Sequence, residues 1–348
     1  MASKRSRREF MRLAGVGAAT LATQAALAQG ADAGPAPQGA SAKPAQGPIP
    51  KRKLGKTGVD VSILALGGHH LGQLPSQEEA TRLVHEAMDH GLTFFDNAHE
   101  YHAGKSEQWL GQALEGRRQN AFVMTKVCTH GRDKRTATLQ LEESLKRLKT
   151  DYLDLWQVHE VAYADDPKNH YAKDGVLEAL TQAKKSGKVR FVGFTGHKSP
   201  ELHLDMLRRG YPFDVVQMPL NPLDGTWRSF EQEVLPVLQK RDIAALGMKT
   251  LGGDGAAVKA GVFTAEESLR YVLSLPIAAV VSGIDSRQVL HQNLNIARGF
   301  QPMRPEEREA LRARVKAVAL TGQHELYKSS RKYEGPPGRI MHGLPLES

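Results

Sequence analysis

The sequence predicts an α/β protein, a closed (β/α)8 barrel of the TIM type in a single domain, and three observations predict it. Short apolar runs of strand length recur eight times between residues 61 and 282. Amphipathic segments of helical length separate them, and such alternation demands a parallel sheet. Eight strand–helix units in about 270 residues suit closure into a barrel. The structural rival, a doubly wound open sheet, lacks its signature: no Gly-x-Gly-x-x-Gly follows the first run, where Leu66-Gly67-Gly68 leads into His69-His70.

The runs, in order, are 61–66, 93–96, 121–126, 152–159, 190–195, 215–218, 243–248 and 279–282. Ahead of them, 51–59 reads as a small hairpin turning at Lys56-Thr57-Gly58 and capping the barrel bottom. A helix over 77–90 aligns Ala80, Leu83, Val84, Ala87 and Met88 on one stripe, with Ser76 and Glu79 as its capping box. A second over 136–149 aligns Leu141, Leu145 and Leu148, and a third over 175–186 stops at Gly187.

Composition bounds the function. With 40% hydrophobic and 24% charged residues, 33 Gly and 18 Pro, the 348-residue chain is a soluble globular type. Fibrous, wholly disordered and polytopic membrane classes are excluded. The one cysteine, Cys128, rules out an intramolecular disulfide and a multi-cysteine zinc or iron–sulfur site. Of the +9 net charge, residues 1–28 hold +4, and the remaining +5 is spread over an ordinary surface. No basic run interleaves with aromatics, so nucleic acid is not an expected partner.

The first 28 residues read as an address. Ser6-Arg7-Arg8-Glu9-Phe10-Met11-Arg12 precedes a short apolar stretch ending in Ala26-Leu27-Ala28. Paired arginines before such a run resemble the twin-arginine export signal of bacteria, which implies passage through that machinery, folded, to the periplasm. An unprocessed signal would leave the protein cytoplasmic or weakly membrane-anchored. From 29 to 47, 13 of 19 residues are Ala, Gly or Pro, so 29–48 is a flexible linker. The barrel is expected over 49–322. Residues 323–348 form an aperiodic tail that either drapes over the barrel mouth or hangs loose.

Function in such a barrel sits where strands end. Asp96 ends the second run, Tyr101 follows five residues later, Lys126 ends the third and His159 ends the fourth. A buried lysine needs an anionic partner, and Asp96 on the adjacent strand supplies one. A tyrosine beside the lysine is expected to have its pKa lowered and to act as general acid toward a carbonyl oxygen, which the histidine orients.

These residues, with the segments around them, resemble the aldo-keto reductase family. The resemblance runs over about 53–298. It rests on Gly91-Leu92-Thr93-Phe94-Phe95-Asp96-Asn97-Ala98 with Tyr101 and Ser106-Glu107, on Thr125-Lys126, and on Leu145-Lys146-Arg147-Leu148. Asp151-Tyr152-Leu153-Asp154-Leu155 with His159, Val189-Arg190-Phe191-Val192-Gly193, Gln217 and the stretch from Gly283 to Asn293 complete it. The family implies a nicotinamide coenzyme and reduction of an aldehyde or ketone to an alcohol, or the reverse. It implies Tyr101 as proton donor, Asp96 and Lys126 as its tuning pair, and His159 as the carbonyl's guide.

The coenzyme positions depart from the family pattern. Thr195-Gly196-His197 stands where Ser-Asn is usual, Gln217 matches, and Met248 replaces a stacking tyrosine. Lys249 is placed to meet the diphosphate, and Gly283, Arg287 and Asn293 line the last contact stretch. Val289 stands where an arginine usually grips the 2′-phosphate, with Arg287 as a substitute. NADP follows from family habit, and NAD stays open. His69, His70, His102 and His197 are expected to line the substrate pocket, with His99 and His130 nearby. Two other readings stand beside the reductase. One is a coenzyme-binding interaction subunit without turnover. The other is a metal-dependent hydrolase built on the histidines, disfavoured because adjacent residues such as His69 and His70 point opposite ways on an extended segment.

Overall fold

The computed structural model describes residues 47–128, 133–341 and 343–346. The twin-arginine segment, nearly all of the 29–48 linker and His130 lie outside the described residues.

Strands β1 (Lys51–Lys53) and β2 (Asp60–Ser62) pair antiparallel as the expected hairpin, Lys51 opposite Ser62. Eight more strands follow. They are β3 (Leu64–Gly67), β4 (Phe94–Asp96), β5 (Phe122–Cys128), β6 (Leu153–His159), β7 (Val189–Thr195), β8 (Val215–Pro219), β9 (Ala244–Met248) and β10 (Ala279–Gly283). All eight run parallel in chain order, and β10 closes on β3. The (β/α)8 barrel is therefore present. One expected run is divided: 61–66 breaks at Ile63, its first residues completing the hairpin and its last opening the barrel. Ser62 marks the bend, its hydroxyl donating to the Leu64 carbonyl at 2.8 Å and accepting from the Thr93 amide at 3.1 Å.

The hairpin closes the bottom. Leu54 and Val61 are fully buried and pack in the same cluster as Ala65, Phe94, Met124, Leu155, Val215 and Leu246, which fills the barrel interior. A second, larger core lies between the barrel wall and the helices, where Leu83, Val84, Leu141, Leu180 and Leu290 meet Phe95, Val123, Trp156 and Val192. The helices start where side chains satisfy their first amides: Ser76 accepts from the Glu79 amide and Asp133 from that of Thr136. Expected helices 77–90, 136–149 and 175–186 are Gln77–Asp89, Lys134–Arg147 and Val176–Lys185.

Strand periodicity aims the site. Side chains alternate faces with a period of two. The interior residues Phe94, Met124, Leu155, Val215 and Leu246 therefore dictate that Asp96, Lys126, Gln157, His159, Gln217 and Met248 also face inward, one or two steps nearer the mouth. Phe191, packed against that interior cluster, does the same for Thr195.

Residues 323–348 contain two short helices, Leu326–Ser329 and Pro336–Met341. Lys328 is fully buried, its ammonium 2.6 Å from Asp224 Oδ1 and 3.0 Å from Glu325 Oε1. Tyr327 is equally buried and donates to Glu325 Oε1 at 2.6 Å. Four residues of helix are too few to show a hydrophobic period, so this docking leaves no trace in the sequence pattern.

Candidate active site

Strands β4, β5 and β6 bring Asp96, Lys126 and His159 to one mouth, and the loop after β4 folds Tyr101 back between them. The Lys126 ammonium bonds Asp96 Oδ1 and the Asn97 carbonyl, the latter at 2.7 Å, and lies 3.3 Å from the Tyr101 hydroxyl. Both members of the Asp96–Lys126 pair are buried. The Tyr101 ring meets that of His159 edge-on with centroids 5.9 Å apart. Glu107 braces the loop from behind: it accepts from Thr125 Oγ1 at 2.6 Å and pairs with Arg147, whose guanidinium also holds the His99 carbonyl. The Ser106-Glu107 and Leu145–Leu148 motifs thus serve as scaffold under the site.

One electrostatic expectation is reversed. Lys126 does not lower the Tyr101 pKa: burial first, then the carboxylates Asp96, Glu100 and Glu160, push the phenol well above its usual range. Burial and the three carboxylates outweigh Lys126, whose charge is shared with Asp96. Burial likewise raises Asp96, against the pull of Lys126.

Two residues were not anticipated. Glu100 places Oε1 2.9 Å from His159 Nδ1, and Glu160 places Oε2 2.8 Å from His197 Nδ1. Each directly adjoins a predicted site residue in sequence, a carboxylate at a strand end or in its following loop, and that adjacency was the available signal.

On the other half of the mouth, Thr195 Oγ1 lies 3.9 Å from Met248 Sδ, and Gln217 Oε1 accepts from Gln157 Nε2 at 3.0 Å. Lys249, at the end of β9, is half-buried in a left-handed conformation with its ammonium over the Tyr333 ring at 4.5 Å. Burial lowers its pKa, opposed by Glu160. The turn behind it carries Gly252 and Gly253 at φ of 78° and 87°, and a Cβ on Gly253 would stand 2.7 Å from the Tyr333 hydroxyl. The tail therefore rests on this turn.

Two expected coenzyme contacts point elsewhere. Arg287 is held bidentate by Glu86 of the neighbouring helix, Nε to Oε2 at 2.5 Å and the terminal nitrogen to Oε1 at 3.0 Å. Asn293 donates to Ser282 Oγ at 3.0 Å, fastening its helix to the outward side of β10. Gly283 lies against the ring of His70, where a side chain would collide.

Three of the described histidines gather at the mouth. The His69 ring meets that of His70 edge-on and lies tilted against that of His102, with centroids 5.5 and 5.0 Å away. His102 Nε2 is bound to the His69 carbonyl at 2.8 Å, and so is used as a donor. Burial, then His70 and His102, hold His69 down at about 4, and burial also lowers His70, so these rings are neutral lining at pH 7. Among the described residues, ligand atoms converge instead at Glu86, His90 and His291 on the outer helices, where Arg287 and Arg298 already occupy Glu86 and His90 Nδ1.

Comparison with known proteins bears on the fold and the family. The aldo/keto reductase family model matches residues 63–268. The uncharacterized oxidoreductase YqkF of Bacillus subtilis is 24% identical over 326 residues, covering 81% of this chain and 99% of its own. An aldo-keto reductase of Bacillus halodurans in its holo form superposes with a TM-score of 0.66 at 27% identity, covering 80% of this chain and 99% of that one. One from Klebsiella pneumoniae, in complex with NADPH, superposes at 0.62 with 23% identity, covering 74% and 92%. This chain belongs to the aldo/keto reductase family and is an NAD(P)-dependent oxidoreductase of that type.

Proposed function

From that membership we propose that the protein interconverts an aldehyde or ketone and its alcohol with NADP, Tyr101 supplying the proton to the carbonyl oxygen and His159 orienting it. The observation that carries the reading is the Tyr101 hydroxyl held 3.3 Å from a lysine already fixed by Asp96 and Asn97. A raised phenol pKa keeps the proton on oxygen at rest, as a donor requires. Lys126 then acts as charge develops on the phenol oxygen, preorganised for a phenolate that exists only late in the reaction.

The coenzyme supplies hydride. The residues present fit it: Thr195 and Gln217 offer polar groups for a carboxamide, Met248 a soft surface for a ring, and Lys249 with the Gly252–Gly253 turn a cation and close backbone for a diphosphate. His69, His70 and His197 line the adjoining pocket as neutral polar groups with His102 beside them, and the set suits a small polar carbonyl compound.

A second reading, a coenzyme-binding barrel with little turnover, draws on Tyr333 resting over Lys249 and Gly253. Turnover separates the two. Calorimetry with NADPH and NADH, followed by an aldehyde panel on wild type and Tyr101→Phe, is the test. Binding with turnover that falls about 10²–10⁴-fold in Tyr101→Phe supports the reductase. Binding without turnover supports the second reading.

We propose further that residues 1–28 direct export by the twin-arginine route, the barrel leaving folded with coenzyme inside. The Arg7-Arg8 motif is the support. Nucleotide-free protein recovered from the periplasm, or cytoplasmic retention, overturns it.

A further inference from the structure

Glu100 sits one residue before Tyr101, and its carboxylate turns in and stands 2.9 Å from His159 Nδ1. Cys128 is the register partner of His159 across β5 and β6, and its thiol bonds the same carboxylate. Burial works to raise the Glu100 pKa, but the imidazole and the thiol outweigh it and hold the carboxyl at about 2. Glu100 is therefore ionised throughout the working range, and an ionised carboxylate only accepts hydrogen bonds. The nitrogen facing it must carry a proton.

We infer that Glu100 is a positioning residue that fixes His159 in the tautomer protonated on Nδ1, so that in the neutral ring Nε2 is an acceptor. This deepens the reductase reading and rests on it for what fills the pocket. A free histidine side chain prefers the opposite tautomer, with its proton on Nε2. The consequence is selective. A neutral His159 of this form welcomes an alcohol, whose hydroxyl donates to Nε2. It repels a carbonyl oxygen, which also only accepts. The carbonyl is recognised once a second proton charges the ring and makes Nε2 a donor. Carbonyl binding therefore weakens once that second proton is lost, while alcohol binding persists.

The groups that face this ring are Glu100 and Tyr101 from the loop after β4, Asp96 on β4, Lys126 and Cys128 on β5, Glu160 beside it and His197 after β7. Glu160 is itself engaged with His197 at 2.8 Å, which leaves Glu100 as the carboxylate aimed at Nδ1.

The test is nitrogen NMR on the full chain with labelled histidine, His159 assigned by its loss in His159→Gln. With the ring neutral the wild type should show the one-bond proton coupling on Nδ1 and none on Nε2. Glu100→Ala should move that coupling to Nε2, and Glu100→Asp should restore it to Nδ1. A wild-type signal with the proton on Nε2 overturns the inference, whatever the variants do. In kinetics, the KM for carbonyl should rise with pH while that for alcohol stays level, and Glu100→Ala should erase the difference. A difference that survives Glu100→Ala counts against it. Because the NMR needs no turnover, an inactive aldehyde panel would sink the reductase reading while leaving the tautomer still measurable.

Discussion

The two halves of the barrel mouth are built on different terms. Along β4, β5 and β6 each inward polar group is bound to a neighbour within the mouth: Lys126 to Asp96 and Asn97, His159 to Glu100. Across β7 to β10 Gln217 and Thr195 bond within the mouth, but three other polar groups look elsewhere. Arg287 is bound to Glu86 on the outer surface, Asn293 to the back of β10, and Lys249 lies under an aromatic ring of the tail. The difference teaches that the geometry proposed for proton transfer, which fails with small displacements, is locked by short contacts between adjacent strands. The coenzyme side is shaped from far along the chain and carries the substitutions that set this protein apart from the family pattern.

The first way to break the contrast is at the tail. Lys328 is buried with Asp224 and Glu325, and all three are within about one per cent of full burial. Lys328→Met strands two carboxylates in the interior and should cost about 3–5 kcal/mol, read by urea unfolding. Coenzyme binding should then change while the Asp96–Lys126 half keeps its geometry. A loss of less than 1 kcal/mol would mean that the tail is not part of the folded unit.

A smaller effect is expected at Lys249. Lys249→Met should weaken NADPH binding by roughly tenfold, about 1.4 kcal/mol, with kcat little altered. Because burial lowers its pKa, the cation is lost, and binding should weaken in the wild type, at a pH below the ordinary lysine range. Titration calorimetry against pH checks both. Equal affinity in the variant would free the diphosphate from this residue.

The smallest effect sharpens the comparison by its absence. Arg287→Ala should leave NADPH affinity and stability close to those of the wild type, since the side chain is exposed and engaged with Glu86. A selective loss of NADPH over NADH would show that Arg287 leaves Glu86 for the 2′-phosphate.

Much of this was legible in the sequence. Asp96, Lys126 and His159 each end an apolar run, and a polar residue there is conspicuous because the pattern demands another hydrophobic side chain. Glu100 and Glu160 were passed over although they adjoin Tyr101 and His159, since a carboxylate in a loop is ordinary until its direction is known. The sign of the Tyr101 shift was misread for a related reason. The lysine was visible as a neighbour, but the three carboxylates and the burial that outweigh it come together only in space.

By itself the sequence determined the eightfold alternation, the closed parallel barrel and the polar strand ends, because those follow from periods of two and 3.6 residues that each segment carries locally. Only the tertiary structure decided which charges compensate which. Glu86 takes Arg287 from 201 residues away, and Lys328 reaches Asp224 across 104. Electrostatic energy depends on distance and burial in space, and neither is a property of a segment read along the chain.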